Sequence, residues 1–196
     1  MPRGSFTRIG WSALVLVAAL AARLGASPQG HVFDLDGRAV DPLRDVTTVP
    51  ATVLIFTATD CPISNRYAPE LRRVHERFAE RGVRFYLVYA NPSDDAHAVR
   101  GHLKKFGYGI DAVRDPEHDL VRRARATVSP EAAVFDREGR AVYRGRIDDR
   151  FVEIGVARAA PTRHDLEDAL TAILAGQPVA TPETRAVGCF LADFRR

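Results

Sequence analysis

The sequence predicts a layered α/β domain, with one central sheet flanked by helices. Three observations carry this. Residues 52–56 (TVLIF) and 83–89 (VRFYLVY) are short, almost wholly apolar runs, as strands covered on both faces require. Each leads into a segment whose apolar residues recur at helical spacing. A strand–turn–strand unit and a final helix follow, so the order reads βα, βα, then ββα with short connections.

The elements follow in chain order. Residues 31–35 alternate and meet the turn signal Asp36-Gly37, with Ala39 and Val40 beyond it, an opening hairpin. After the first buried strand, Tyr67, Leu71, Val74 and Phe78 share one helical stripe, opposite Glu70, Arg72, Arg73, Glu76 and Arg77. Gly82 is expected to end that helix as its C′ residue. Residues 93–106 read as a second helix, capped by Ser93, with Ala96, Val99, Leu103 and Phe106 facing inward. Residues 116–124 are a shorter one. Ser129-Pro130 breaks the chain before a strand at 132–135, and a turn at 136–139 leads to its partner at 141–143. Thr162 is expected to cap the last helix, which carries Leu166, Leu170 and Ile173 and stops at Gly176. From Pro178 onward the chain is aperiodic and reads as a tail. The expected organisation is a leader at 1–27, one domain at 28–177, and a tail at 178–196 that carries Cys189.

Composition narrows the class. With 196 residues, 46% hydrophobic and 27% charged, the chain has the make-up of a globular domain. A core of that size folds without a metal or a disulfide framework. At the N-terminus, Arg3 and Arg8 precede an uncharged apolar run at 11–22, and small residues follow at Gly25, Ala26 and Ser27. That is the pattern of a secretory signal peptide, and the run is well short of the roughly twenty residues that span a membrane. The mature chain is therefore expected in the periplasm or outside the cell, with no stable membrane contact. The whole chain carries 28 Lys+Arg against 25 Asp+Glu, a net +3. The leader holds Arg3, Arg8 and Arg23 and no acid, so the remainder is neutral and net charge gives no support for nucleic-acid binding.

Chemistry concentrates in one segment, Phe56-Thr-Ala-Thr-Asp-Cys61-Pro-Ile-Ser64-Asn-Arg-Tyr-Ala-Pro69. Cys61 stands directly after a buried strand and directly before an amphipathic helix. Backbone N–H groups and the positive end of the helix dipole favour its thiolate, the form that acts as a nucleophile. Pro62 suits the first helical position, where a missing N–H is not needed. Ser64, one turn on, is placed to donate a hydrogen bond back to the sulfur. The polar neighbours Asp60, Ser64 and Asn65 argue for a reactive cysteine over an inert packed one.

The segment resembles the active-site turn of the thioredoxin superfamily, in particular its exported redoxin (AhpC/TSA and TlpA-like) branch. Cys61, seven residues and then Pro69 matches the family's spacing from nucleophilic cysteine to helix-kinking proline. A proline inside a helix costs about 3 kcal/mol, and the family's kinked helix gives that a reason. Val128-Ser129-Pro130 before a strand resembles the family's cis-proline loop. The resemblance implies a thioredoxin-like fold over about residues 31–176. It also implies that Pro130 faces the sulfur and that Ser129 offers backbone hydrogen bonds to an extended thiol substrate, with Pro62 beside them.

The departures bear on mechanism. The thioredoxin second cysteine, three after the first, is Ser64 here; a Cys-x-x-Ser site forms a mixed disulfide but does not resolve it locally. Peroxiredoxins place Thr three before the reactive cysteine, where this chain has Ala58 between Thr57 and Thr59. Copper-delivering relatives need a second cysteine four after the first, and Asn65 is there. The chain's other cysteine, Cys189, lies in Ala186-Val187-Gly188-Cys189-Phe190, where Gly188 is expected to give backbone freedom. Three readings stay open: a distal resolving cysteine, a structural bond to Cys61, or two thiols that never meet.

The six histidines (31, 75, 97, 102, 118 and 164) show no metal-ligand spacing and are expected at the surface. Asp148-Asp149 is expected as a solvated turn. No phosphate loop is present. The expected function is thiol–disulfide exchange or peroxide reduction at Cys61, with Ser64 stabilising the anion and Cys189 resolving. It needs no prosthetic group and no metal. Its partners would be a protein or small-molecule thiol or disulfide, or a peroxide, together with an external reductant. The competing expectation is a non-enzymatic thioredoxin-fold binding module.

Overall fold

The computed structural model describes Met1 and residues 31–191. The expected leader at 1–27 lies, after Met1, outside the described residues. Among those described, no helix is long and apolar enough to cross a membrane.

The sheet is built on β1 (Ala51–Thr57), every residue of which is buried. It pairs in parallel with β2 (Arg84–Tyr89), which pairs in parallel with β3 (Asp111–Arg114). On its other side β1 runs antiparallel to β5 (Glu131–Asp136), which pairs antiparallel with β6 (Ala141–Gly145). The five-stranded order is β3-β2-β1-β5-β6, a mixed sheet with β1 at its centre. Successive β1 side chains point to opposite faces. Val53 and Ile55 join Leu71, Val74, Phe78, Leu166 and Leu170 in one core, whereas Leu54 and Phe56 join Val88, Leu120, Val121 and Ala133 in another. The sheet is covered on both sides, which is why its strands read as continuous apolar runs.

The helices follow the expected order with shifted ends. α1 (Pro62–Arg66) and α2 (Ala68–Ala79) meet at Tyr67, so Pro69 stands in the first turn of α2 and not in a helix interior. Its missing N–H is harmless there. Gly82, at φ 84°, turns the chain into β2 one position later than C′. α3 (Ala96–Phe106) is capped by Asp95, whose carboxylate accepts from Ala98 N at 2.8 Å; Ser93 is not the cap. Its buried residues are Val99 and His102, while Ala96, Leu103 and Phe106 are only partly covered. α4 (Asp119–Ala124) follows β3. α5 (Asp165–Leu174) begins after His164, because Thr162 spends its N–H and hydroxyl on Asp149 instead of capping the helix.

Four small strands complete the described chain. β4 (Val128–Ser129) lies just before β5, and β7 (Phe151–Glu153) pairs with β8 (Val156–Ala157). The opening hairpin is reduced to a single bridge, Phe33 to Ala39. The aperiodic segment after Pro178 does hold an element: β9 (Cys189–Phe190) pairs antiparallel with β4. Its partner contacts run through the backbone, so side-chain periodicity carries no trace of it.

Candidate functional site

The end of β1 and the start of α1 fix Cys61. Its φ of −80° and ψ of 111° place it as the N-cap of α1, with its carbonyl accepting from Asn65 N at 3.0 Å. Pro62 follows at the first helical position and is exposed, whereas Cys61 itself is only 1% exposed. Two segments distant in sequence converge on its sulfur. The Ser129 carbonyl lies 3.1 Å from Sγ, and Cys189 Sγ lies 2.7 Å away, both cysteines being free thiols. Ser64 is completely buried beside them. Its Oγ closes no hydrogen bond of its own, which leaves the hydroxyl free to turn toward the sulfur.

The Ser129–Pro130 peptide bond is cis. Pro130 is buried, and the loop before it is held by a residue the sequence reading passed over. Glu131 Oε2 accepts from the N–H groups of Thr127 (2.7 Å) and Val128 (3.2 Å), clamping the turn that presents Ser129. The available signal was an acidic residue opening an otherwise apolar strand. Gly188 packs against this loop: a Cβ on it would lie 2.1 Å from the Ser129 carbonyl oxygen. Its role is close approach rather than the expected backbone freedom. The structure therefore brings Cys61, Ser64, Ser129, Pro130 and Cys189 to one place, with Pro62 at its rim.

The two sulfurs are electrostatically unlike. Burial raises the Cys61 pKa, but the polar groups around the sulfur, those of Cys189, the Ser64 N–H and hydroxyl and the Ser129 side chain, outweigh it, leaving the thiol more acidic than usual. For Cys189, burial, the hydrogen bond to Cys61 and the charges of Cys61 and Asp60 all act upward, to about 12. Of the two sulfurs, Cys61 therefore gives up its proton the more readily and Cys189 holds its own the more firmly.

Beneath the loop that carries Cys61 runs a polar chain. Asn65 Nδ2 donates to the Thr59 carbonyl at 3.3 Å, and its Oδ1 lies 2.7 Å from His102 Nε2. His102 Nδ1 lies 2.8 Å from the Tyr89 hydroxyl. Thr59 Oγ1 also donates to buried Asp94. Burial raises the Asp94 pKa above the ordinary carboxylate range, against the hydrogen bond from Thr59. His102 is thus a core residue, not the expected surface one. His118 is buried too, its Nε2 2.9 Å from the Ala90 carbonyl.

Asp148 and Asp149 also depart from expectation, since both are buried. Asp148 accepts from the Tyr67 hydroxyl at 2.6 Å and from Arg150 N at 2.9 Å. Asp149 accepts from Thr162 N and Oγ1, each at 2.6 Å, and from Arg163 N at 3.0 Å. Internal donors reach Oδ1 of Asp148 and both oxygens of Asp149, which lowers the cost of burying them. Asp148, Glu70 and His164 bring one potential metal-ligand atom each within 4.8 Å of one another. Arg73 already engages both oxygens of that Glu70.

A cavity of about 270 Å³ opens beside the thiols, lined by Ala58, Asp60, Ala90, Asn91, Ser129 and Cys189, with Phe190 and Leu191 at its edge. It reaches two of the residues in contact with the Cys61 sulfur, so a small molecule entering it arrives next to the reacting atoms.

The fold and the sequence have recognisable relatives. An uncharacterised conserved protein of Geobacillus kaustophilus superposes with a TM-score of 0.74 at 26% identity, covering 84% of this chain and 88% of that one. A hypothetical protein of Sinorhizobium meliloti gives 0.71 at 25% identity, covering 82% and 88%. A secreted disulfide oxidoreductase of Mycobacterium tuberculosis shares the fold, with a TM-score of 0.50 at 19% identity over 74% of this chain and 93% of that one. A comparison with curated proteins finds no match. The AhpC/TSA family model matches residues 28–144, well over half of the chain. Thioredoxin-like architecture and family match agree, support a thiol redox role, and establish that the chain belongs to the AhpC/TSA family of thioredoxin-like redoxins.

Proposed function

We propose that this chain is an exported thiol redox enzyme in which Cys61 and Cys189 cycle between dithiol and disulfide. The observation that carries the reading is the 2.7 Å approach of the two sulfurs, one made more acidic and the other less acidic than an ordinary thiol. The Cys61 thiolate is the nucleophile. With a disulfide RS–SR it forms Cys61–SR and releases RS⁻. Cys189 then attacks the Cys61 sulfur and frees the second thiol, its own proton passing to a released thiolate. With a hydroperoxide, attack on oxygen gives the Cys61 sulfenic acid and an alcohol or water. Cys189 condenses with the sulfenic acid to give the disulfide and water, an antioxidant cycle. Either way the protein gives up two electrons, and an external reductant restores the dithiol. Ser64 and the Ser129 loop hold the anion and the incoming group.

The near-complete burial of Cys61 favours one second reading, a binding module in which the Cys61–Cys189 pair is a static staple. Mass analysis after one equivalent of hydrogen peroxide or a low-mass disulfide separates the two. A catalytic pair loses two hydrogens within seconds to minutes and regains them with mild thiol, whereas a staple does neither. Export is supported by the pattern at 1–27 and tested by sequencing the N-terminus of the protein from the cell envelope. A start near residue 28 is expected, and an intact Met1 would contradict it.

A further inference from the structure

The redox couple explains Cys189 but not the rest of the tail. A resolving cysteine needs only a tether, yet residues 182–191 are seated along their length. Arg144 N donates to Pro182 O at 2.9 Å and Thr184 N donates to Arg144 O at 3.0 Å. Thr184 Oγ1 accepts from Arg146 N at 3.0 Å and lies 2.8 Å from the Tyr143 hydroxyl. Gly145 admits Thr184 where a Cβ would meet its Oγ1 at 2.1 Å, and Gly188 fits against Ser129 in the same way. Leu191 N donates to Thr127 O at 3.0 Å.

What this seat covers is the edge of β4. An edge strand offers unpaired backbone groups, and an extended peptide binds such an edge by adding as a further strand. A polypeptide delivering a sulfur to Cys61 along Val128 and Ser129 would need the groups that β9 already pairs with. In that register Ser129 faces Cys189, so Cys189 stands where an incoming sulfur would stand.

We propose that the tail is a tethered occupant of the peptide-binding edge, and that it restricts Cys61 to small oxidants by excluding extended polypeptide disulfides. This rests on Cys61 being the reactive thiol. A tethered segment competes at an effective concentration in the millimolar range, far above that of a free protein partner. The opening left beside the sulfurs is the cavity of about 270 Å³, below the range of sites for drug-sized ligands. Small disulfides and hydroperoxides fit that limit.

The test uses the full chain with Cys189→Ser, so that reaction stops at the first Cys61 adduct. Rates of adduct formation are compared for bis(2-hydroxyethyl) disulfide and for a dodecapeptide whose central cysteine carries the same 2-hydroxyethyl disulfide. The seated tail should make the peptide slower by about tenfold or more, in line with a competing tether. Adding Gly188→Val, which unseats β9, should narrow the ratio of the two rates by a similar factor. Thr184→Ala, which weakens the seat without crowding it, should narrow it in the same direction and serves if the valine variant does not fold. Equal rates for both oxidants with the tail seated, or a ratio unmoved by both variants, would overturn the proposal. Inertness of Cys61 toward both oxidants in every variant would instead remove the redox reading beneath it.

Discussion

His102 Nε2 lies 2.7 Å from Asn65 Oδ1, four residues past Cys61, while its Nδ1 takes the Tyr89 hydroxyl at 2.8 Å. An amide oxygen accepts, so Nε2 carries a proton, and in the neutral ring Nδ1 accepts from the Tyr89 hydroxyl. Tyr89, His102, Asn65 and the Thr59 carbonyl form one continuous line of support under the loop that leads to Cys61.

That neutral ring predicts a pH dependence. Burial, and then the charge of Lys105, lower the His102 pKa below its ordinary value. The folded state therefore binds fewer protons than the unfolded chain below about pH 6.5, and stability falls as pH drops through that value. Half-buried His75 adds a loss of the same sign, while Asp94 and Asp115, whose pKa values burial raises, act oppositely. Denaturant unfolding between pH 7 and pH 5 should show a smaller loss for His102→Gln than for wild type. Equal losses would refute the assignment.

Ser64→Ala separates stability from reactivity. The hydroxyl is buried without a closed hydrogen bond, so its removal should leave stability unchanged or slightly higher. The same change withdraws one donor from the Cys61 anion. Its pKa should rise by about one unit, the equivalent of about 1.4 kcal/mol. Alkylation by iodoacetamide followed against pH reads this directly. An unshifted profile would show that Ser64 does not reach the sulfur.

Tyr67→Phe tests the buried acid behind α2. Asp148 is 1% exposed, and its Oδ2 already lacks a partner. Taking away the Tyr67 hydroxyl leaves Arg150 N as the hydrogen-bond donor on Oδ1, and should cost about 1–3 kcal/mol in thermal or urea unfolding. The companion Asp148→Asn, which keeps shape and removes charge, should be the milder of the two in the Tyr67→Phe background.

Replacing Cys189 by Ser should convert a cycle into a dead end. After one equivalent of oxidant, Cys61 should be found as a stable mixed disulfide or, with peroxide, as a sulfenic acid that a dimedone-type reagent traps. Turnover with any external reductant should fall by about a hundredfold or more, while Cys61→Ser should abolish it. Retained turnover in Cys189→Ser would show that resolution comes from elsewhere.

Much of this was legible in the sequence, for identifiable reasons. β1 and β2 announce themselves because both faces of the sheet are covered, and α2 because Leu71, Val74 and Phe78 repeat at helical spacing on one face. Cys61, Ser64 and Pro130 were marked by local order along the chain. What stayed hidden depends on partners far away in sequence. Asp148 reads as a turn residue until Tyr67, 81 positions earlier, is brought to it, and His102 reads as a surface residue until Asn65, 37 positions earlier, is. The tail is held by backbone pairing, by Thr184 Oγ1 and by isolated side chains such as Val187 against the core, which leave no periodic hydrophobic pattern to read. The Asp95 cap was missed because Ser93, an equally good capping residue, stands two positions earlier.

The central claim is that Cys61 and Cys189 are a working redox couple, and a redox titration of the protein tests it most directly. Thiol content is followed across graded thiol–disulfide buffers, in wild type and in Cys189→Ser. A single two-electron transition, more oxidising than the roughly −300 mV below which structural disulfides lie and absent in the variant, is the predicted result. A bond that opens only under stronger reduction, or two thiols that never pair, would contradict it.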